Sequence, residues 1–150
     1  MSKSGFAGLV IAASVALALT SANSVSGNQA VIRKTLLSGS AVPVPVRAIL
    51  QRACQDCHSN NTDWPWYANL PPISSRIHRD AAKGRSFMDL SKWNDYSEGE
   101  RRGFQLAIGK ALESHLMPPS TYVLMHREAQ ISDHEMEIIR AWADGAAIAK

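Results

Sequence analysis

The stretch CQDCHSNNTDWPWY, residues 54–67, contains both cysteines of a 150-residue chain. A histidine follows the second cysteine directly, and aromatic and amide side chains crowd the positions after it. Four chemistries use a Cys-x-x-Cys pair. A disulfide across i and i+3 is reachable but strains a helix. A structural zinc site takes about four ligands, and there is no second cysteine pair. A thioredoxin-type redox pair follows a strand within a βαβ pattern, whereas Cys54 and Cys57 fall near the end of an expected helix with no such pattern around it. The fourth is attachment of c-type haem, whose signature is Cys-x-x-Cys-His. Thiols three residues apart share one helical face, so each can reach a vinyl group of the same porphyrin. His58, one residue past Cys57 and four past Cys54, projects from that face toward the iron.

The surroundings of this stretch are helical. Val46, Ile49, Leu50, Ala53, Cys54 and Cys57 recur at spacings of three and four, which predicts a helix over residues 46–58 with Pro45 in its first turn. Arg47, Gln51, Arg52 and Asp56 take its wet side. Residues 59–72 read as a loop, rich in amides and prolines, and a short helix over residues 73–83 is expected to end at Gly84. The segment RSFMDLSKWNDY reads as irregular. Ser97 with Glu100, and Ser132 with Glu135, have capping-box spacing and open two further helices. Phe104, Ala107, Ile108, Ala111 and Leu112 line the inner face of the first of these. Met136, Ile139, Trp142, Ala143 and Ala146 line the second, where Trp142 is expected to pack on residues 46–50. Between them, ESHLMPPSTYVLMHREAQI reads as a second long loop. There is no convincing strand pair and no internal repeat, so the fold class is all-α, a small helical domain around one covalently attached haem.

The N-terminus reads as a targeting segment. Residues 6–19 are uncharged and apolar, short of the roughly 20 residues that span a bilayer. Thr20-Ser21-Ala22 has the small-x-small form of a cleavage site, so residues 1–22 are expected to be removed as a signal peptide. Retention as a membrane anchor is the alternative that a single positive charge, Lys3, leaves open. Residues 23–44 then form a linker and residues 45–150 the haem-binding, cytochrome c-like domain. Export to the periplasm or beyond fits covalent haem attachment. The net charge of +3 is weak and scattered, which excludes a nucleic-acid partner.

A second axial ligand must come from Met88, Met117, Met125, Met136, His78, His115, His126 or His134. Met117 is the expected one. It precedes Pro118-Pro119, so the chain there leaves helical geometry, and a stiff loop can hold a thioether at one distance from iron. His115, Met125 and His126 are its competitors.

The ordered set CQDCHSNNTDWPWYANLPPIS, GRSFMDLSKW, MPPSTYVLMHREAQIS and IIRAWADGA resembles the bacterial haem-binding domain family, exported mono-haem proteins related to small c-type cytochromes. The resemblance runs over residues 46–145. It implies thioether attachment at Cys54 and Cys57, ligation by His58 and distal ligation by Met117. Two departures stand out. Ser74 is followed by Ser75 where members often have tryptophan, and Asp89-Leu90-Ser91 stands where they often have Asn-Phe-Ser. In small c-type cytochromes a proline carbonyl accepts from the proximal imidazole. Pro71, 13 residues past His58, or its neighbour Pro72 is expected in that role. Trp64 and Trp93 are expected at the porphyrin edge and Arg85 near a propionate, with Trp66, Tyr67 and Arg76 as further candidates. The function expected is transfer of single electrons between exported or membrane redox proteins, not catalysis. A peroxidase-like enzyme or a gas-binding sensor is the alternative should the distal ligand be displaceable.

Overall fold

Prolines rather than polar caps begin the first helix. In the computed structural model, which describes residue 37 and residues 40–146, α1 runs Val44–Ala53 with Pro43 as its N-cap and no side-chain capping bond. Pro45 sits in the first turn, where a missing N–H costs nothing. Val46, Ile49, Leu50 and Ala53 are buried on one face. The single helix expected over residues 46–58 is in fact two. Cys54 leaves helical geometry at φ −125°, and a separate turn, α2 (Gln55–His58), follows. Hydrogen bonds from Cys54 N to Leu50 O and from His58 N to Cys54 O, both 3.0 Å, close the turns on either side of the break. Apolar spacing could not reveal this, because both pieces keep the helical period.

The third helix also departs from expectation. α3 (Ile73–Phe87) passes through Gly84 and ends only where Met88 turns extended. Gly84 is a point of contact, not a stop: a Cβ there would lie 2.5 Å from the Cys57 carbonyl oxygen. The absent side chain lets α3 press against the backbone of α2.

α4 (Glu98–Glu113) and α6 (Asp133–Ala143) begin as their sequence requires, each with a complete capping box, Ser97 with Glu100 and Ser132 with Glu135. They cross closely, since a Cβ on Gly109 would come within 3.0 Å of the Ala143 Cβ. The core is built from Val46, Ile49 and Leu50 of α1, Leu90 and Trp93, Leu112 of α4, and Ile139 and Trp142 of α6. Each such aliphatic or aromatic side chain contributes about 1.5–3 kcal/mol by leaving water. The expected second loop contains a short helix, α5 (Ser120–Met125), and a 3-10 turn over Arg127–Ala129. Among the described residues there are six α-helices and no strand, an all-α domain. The expected signal segment and most of the linker lie outside the described residues. Among those described, no helix is long and apolar enough to cross a membrane.

Candidate cofactor site

An apolar cavity of about 290 Å³ opens beside α2. Its walls come from Ala53, the end of α3 at Phe87 and Met88, the inner face of α4 at Ala107, Ile108, Ala111 and Leu112, and the turn at Leu116. Cys54, Cys57, His58 and Met117 all line it, and Pro118, Pro119 and Tyr122 complete the wall near Met117.

His58 is oriented by backbone. Its Nδ1 lies 3.1 Å from the Met88 carbonyl oxygen, which holds the ring in the tautomer whose lone pair is on Nε2. Burial pushes the imidazole below its ordinary value, while the Met88 and Gly84 carbonyls pull the other way. The group is therefore a neutral donor at neutral pH. Met88 is itself held in place by side chains. The buried Asp89 carboxylate accepts from Ser91 N at 2.9 Å and from Asn60 Nδ2 at 3.1 Å, and Asn60 N donates to Ser91 Oγ at 2.9 Å. The loop just past His58 is thus laced to the segment that carries the Met88 carbonyl. Asp89-Leu90-Ser91, a departure from the family pattern, builds this lacing, with Leu90 fully buried. The expected role of Pro71 is overturned: Pro71 is exposed and precedes α3, and Met88, 30 residues past His58, supplies the carbonyl.

Both thiols are held protonated. Burial, helped by Cys57 and opposed by Arg52, pushes Cys54 up to about 12. Burial, then the charges of Asp56 and Asp80, raises Cys57 against the pull of Arg85. A dithiol redox pair needs the opposite shift, so the electrostatics speak against that chemistry.

The remaining expected residues fall elsewhere. Trp93 is 3 % exposed in the core, against Trp142 at 6.0 Å and Phe104 at 6.4 Å between ring centroids, and does not reach the cavity. Its size and apolar body win it a place in the packed centre. Trp64 lies off the wall, 41 % exposed, with its ring 4.4 Å from that of His78. Arg85 donates to Ser59 O at 3.4 Å and Thr62 Oγ1 at 3.2 Å, tying down the loop after His58. Arg76 is exposed and pairs with Asp80 across one helical turn. Of the eight candidates for a second ligand, only Met117 and Met88 line the cavity. His115 is exposed at φ +54°. His126 is occupied at both ring nitrogens, by Tyr67 OH and by Glu128 Oε1. Sequence reasoning missed Phe87, Leu116 and Tyr122. Tyr122 donates from its hydroxyl to Asp56 Oδ2 at 2.8 Å.

The donor set and walls suit a large, flat, mostly apolar group carrying a metal. An imidazole with Nε2 left for a metal, two sulfur atoms on the adjoining turn and a thioether share one apolar cleft. A small helical domain with Cys-x-x-Cys-His on the wall of such a cleft defines a haem-binding protein. The chain belongs to the haem-binding domain family, whose family model matches residues 12–145. No curated protein matches the chain, and no solved structure does. Haem, when bound here, supplies an iron centre that gains and loses one electron. Cys54, Cys57 and His58 would hold it on one side of the cavity wall and Met117 would meet it from the neighbouring turn.

Proposed function

We propose that the protein is an exported mono-haem c-type cytochrome that passes single electrons between redox partners. One observation carries the reading: Cys54, Cys57, His58 and Met117, drawn from two distant segments, line a single apolar cavity. Cys54 and Cys57 bind the porphyrin through thioethers. His58 is one axial ligand, its ring fixed by the Met88 carbonyl, and Met117 is the other. A methionine–histidine pair sets a higher potential than two histidines, and filling both axial positions leaves no place for substrate. The apolar walls would keep water from the iron of a bound haem, and the open mouth would give a partner access to it. The apolar run at residues 6–19 supports export, and the partners are other exported or membrane redox proteins.

The test is spectroscopic. Protein matured in a host that attaches haem c should give the pyridine haemochrome spectrum of a doubly thioether-linked haem. When oxidised it should show the weak far-red charge-transfer band of thioether-ligated ferric iron. Met117→Ala should abolish that band, and Cys57→Ser should leave a single thioether. A high-spin spectrum in the wild type would replace electron transfer with peroxidase or gas-binding chemistry. A colourless product would remove covalent attachment.

A further inference from the structure

Met117 sits on a segment that the core does not hold. α5 has no buried residue, and Leu116, Met117, Leu124 and Met125 are all at least 42 % exposed. What fixes the segment is polar: Leu116 N and Met117 N donate to Ala111 O of α4 at 2.9 and 3.2 Å, and beyond the two prolines the tie is made by Tyr122. The Tyr122 hydroxyl donates to Asp56 Oδ2 at 2.8 Å, and Asp56 lies on α2 between the two cysteines. The other Asp56 oxygen accepts from Asp63 N at 2.9 Å, so the carboxylate is held at both ends. The Tyr122 ring lines the cavity and stacks on His126, with centroids 4.3 Å apart and planes 16° from parallel.

We infer that Tyr122 is a positioning residue for the distal ligand: through Asp56, its hydroxyl ties the Met117 segment to the haem-attachment turn. The inference rests on Met117 being the axial ligand. Tyr122 is five residues past Met117, and Asp56 is two before His58. One hydrogen bond, between residues 66 apart in sequence, therefore joins the segments that carry the two ligands. A thioether is a weak ligand, and its hold on iron depends on its effective concentration at the metal. Cutting the tie lets the segment sample open positions and lowers that concentration without touching the sulfur.

The readout is the affinity of ferric holoprotein for added imidazole, which competes with Met117 for the iron. Tyr122→Phe keeps the ring in the cavity wall and removes only the hydroxyl. It should bind imidazole about tenfold more tightly than wild type, the scale of one hydrogen bond to a charged group. Asp56→Ala should gain at least as much, and Asp56→Asn, whose single neutral acceptor oxygen can serve Tyr122 or Asp63 N but not both, should fall between wild type and Asp56→Ala. Tyr122→Phe should add nothing in the Asp56→Ala background, because the bond is already gone. Unchanged imidazole affinity in Tyr122→Phe, or additive effects in the double variant, would overturn the tie and leave the ligation intact. A wild-type holoprotein without the far-red band would overturn the ligation itself, and the tie with it.

Discussion

At the residue scale, Gly84 sets two effects of known size against each other. Alanine in a helix interior is favoured over glycine by about 1 kcal/mol. The added Cβ, however, would stand 2.5 Å from the Cys57 carbonyl oxygen. That neighbour is backbone of the attachment turn and cannot swing aside, so overpacking at about 1–3 kcal/mol should win. Gly84→Ala is expected to lower Tm by several degrees in a thermal melt. A raised Tm would mean that helix propensity prevails and that the close approach of α3 to α2 is wrong. His58 gives a prediction in pH. Its folded value is depressed below 6.5, chiefly by burial, so folding favours the neutral ring. That stability is present above the ordinary value and is lost as pH falls through the depressed one. Haem-free chain should therefore unfold at lower denaturant as pH drops from about 7 toward 5, and His58→Gln should flatten that slope. His58 was legible because an imidazole beside a cysteine pair is chemically distinctive. Its partner was not, because every residue carries a carbonyl, and only the fold selects that of Met88. Gly84 read as a helix stop because composition alone does not separate a chain end from a close contact.

At the element scale, the capping boxes were legible and the kinks were not. Ser97 with Glu100 and Ser132 with Glu135 act through local bonds that sequence spacing fixes. The break at Cys54 and the helix at Ser120–Met125 depend on what the chain meets in space. α5 has no buried stripe to announce it, since its Tyr122 faces the cavity. The two boxes also differ in reach. Glu135, besides capping α6, holds Arg52 of α1, whose guanidinium also donates to the carbonyls of Glu128 and Gln130. Burial pushes the Glu135 carboxyl up, but bonds from Ser132 and Arg52 outweigh it and hold the group below its usual range. A depressed carboxylate stabilises the fold above its ordinary value, and that stability is lost as pH falls through the depressed one. Ser132→Ala should cost about 1 kcal/mol at neutral pH and should weaken the acid-side loss below about pH 4.5. Ser97→Ala should act in the same way at Glu100, whose carboxyl is also held low by its bonds to Ser97, whereas Arg52→Ala should weaken the acid-side loss through Glu135 alone. Chemical denaturation at two pH values reads this, and an Arg52→Ala variant with the pH profile of the wild type would count against the long-range pairing.

At the scale of the whole molecule, the described residues form a packed apolar core and, beside it, an apolar cleft that protein does not fill. The all-α class was legible from periodicity, and the Cys-x-x-Cys-His turn and the methionine before two prolines, both of which line the cavity, were legible as motifs. The division of aromatics between the regions was not. Trp93 joined Trp142 in the packed core, while Phe87 and Tyr122 went to the cavity wall, and size and hydropathy do not distinguish those destinations. The consequence is energetic. At about 24 cal/mol per Å³, a rigid apolar cavity of 290 Å³ corresponds to about 7 kcal/mol. The cleft opens to solvent and its walls can relax, so that figure is an upper bound, to be set against a usual total of about 5–15 kcal/mol. Haem in this cleft would cover those walls and so serve as part of the core. The double variant Cys54→Ala/Cys57→Ala, prepared without haem, should keep much of its helical far-ultraviolet signal. It should melt well below the holoprotein, over a broader transition, because α4 and the Met117 turn lose the surface they share with the ring. The α1–α4–α6 contacts around Ile139, Trp93 and Trp142 do not depend on the cavity and should be the last to go. Amide hydrogen exchange can read that order: protection retained at residues 139–143 and lost first at residues 116–125. Coincident melting of holoprotein and haem-free variant would show that the cleft closes by itself and that the porphyrin adds nothing to the fold.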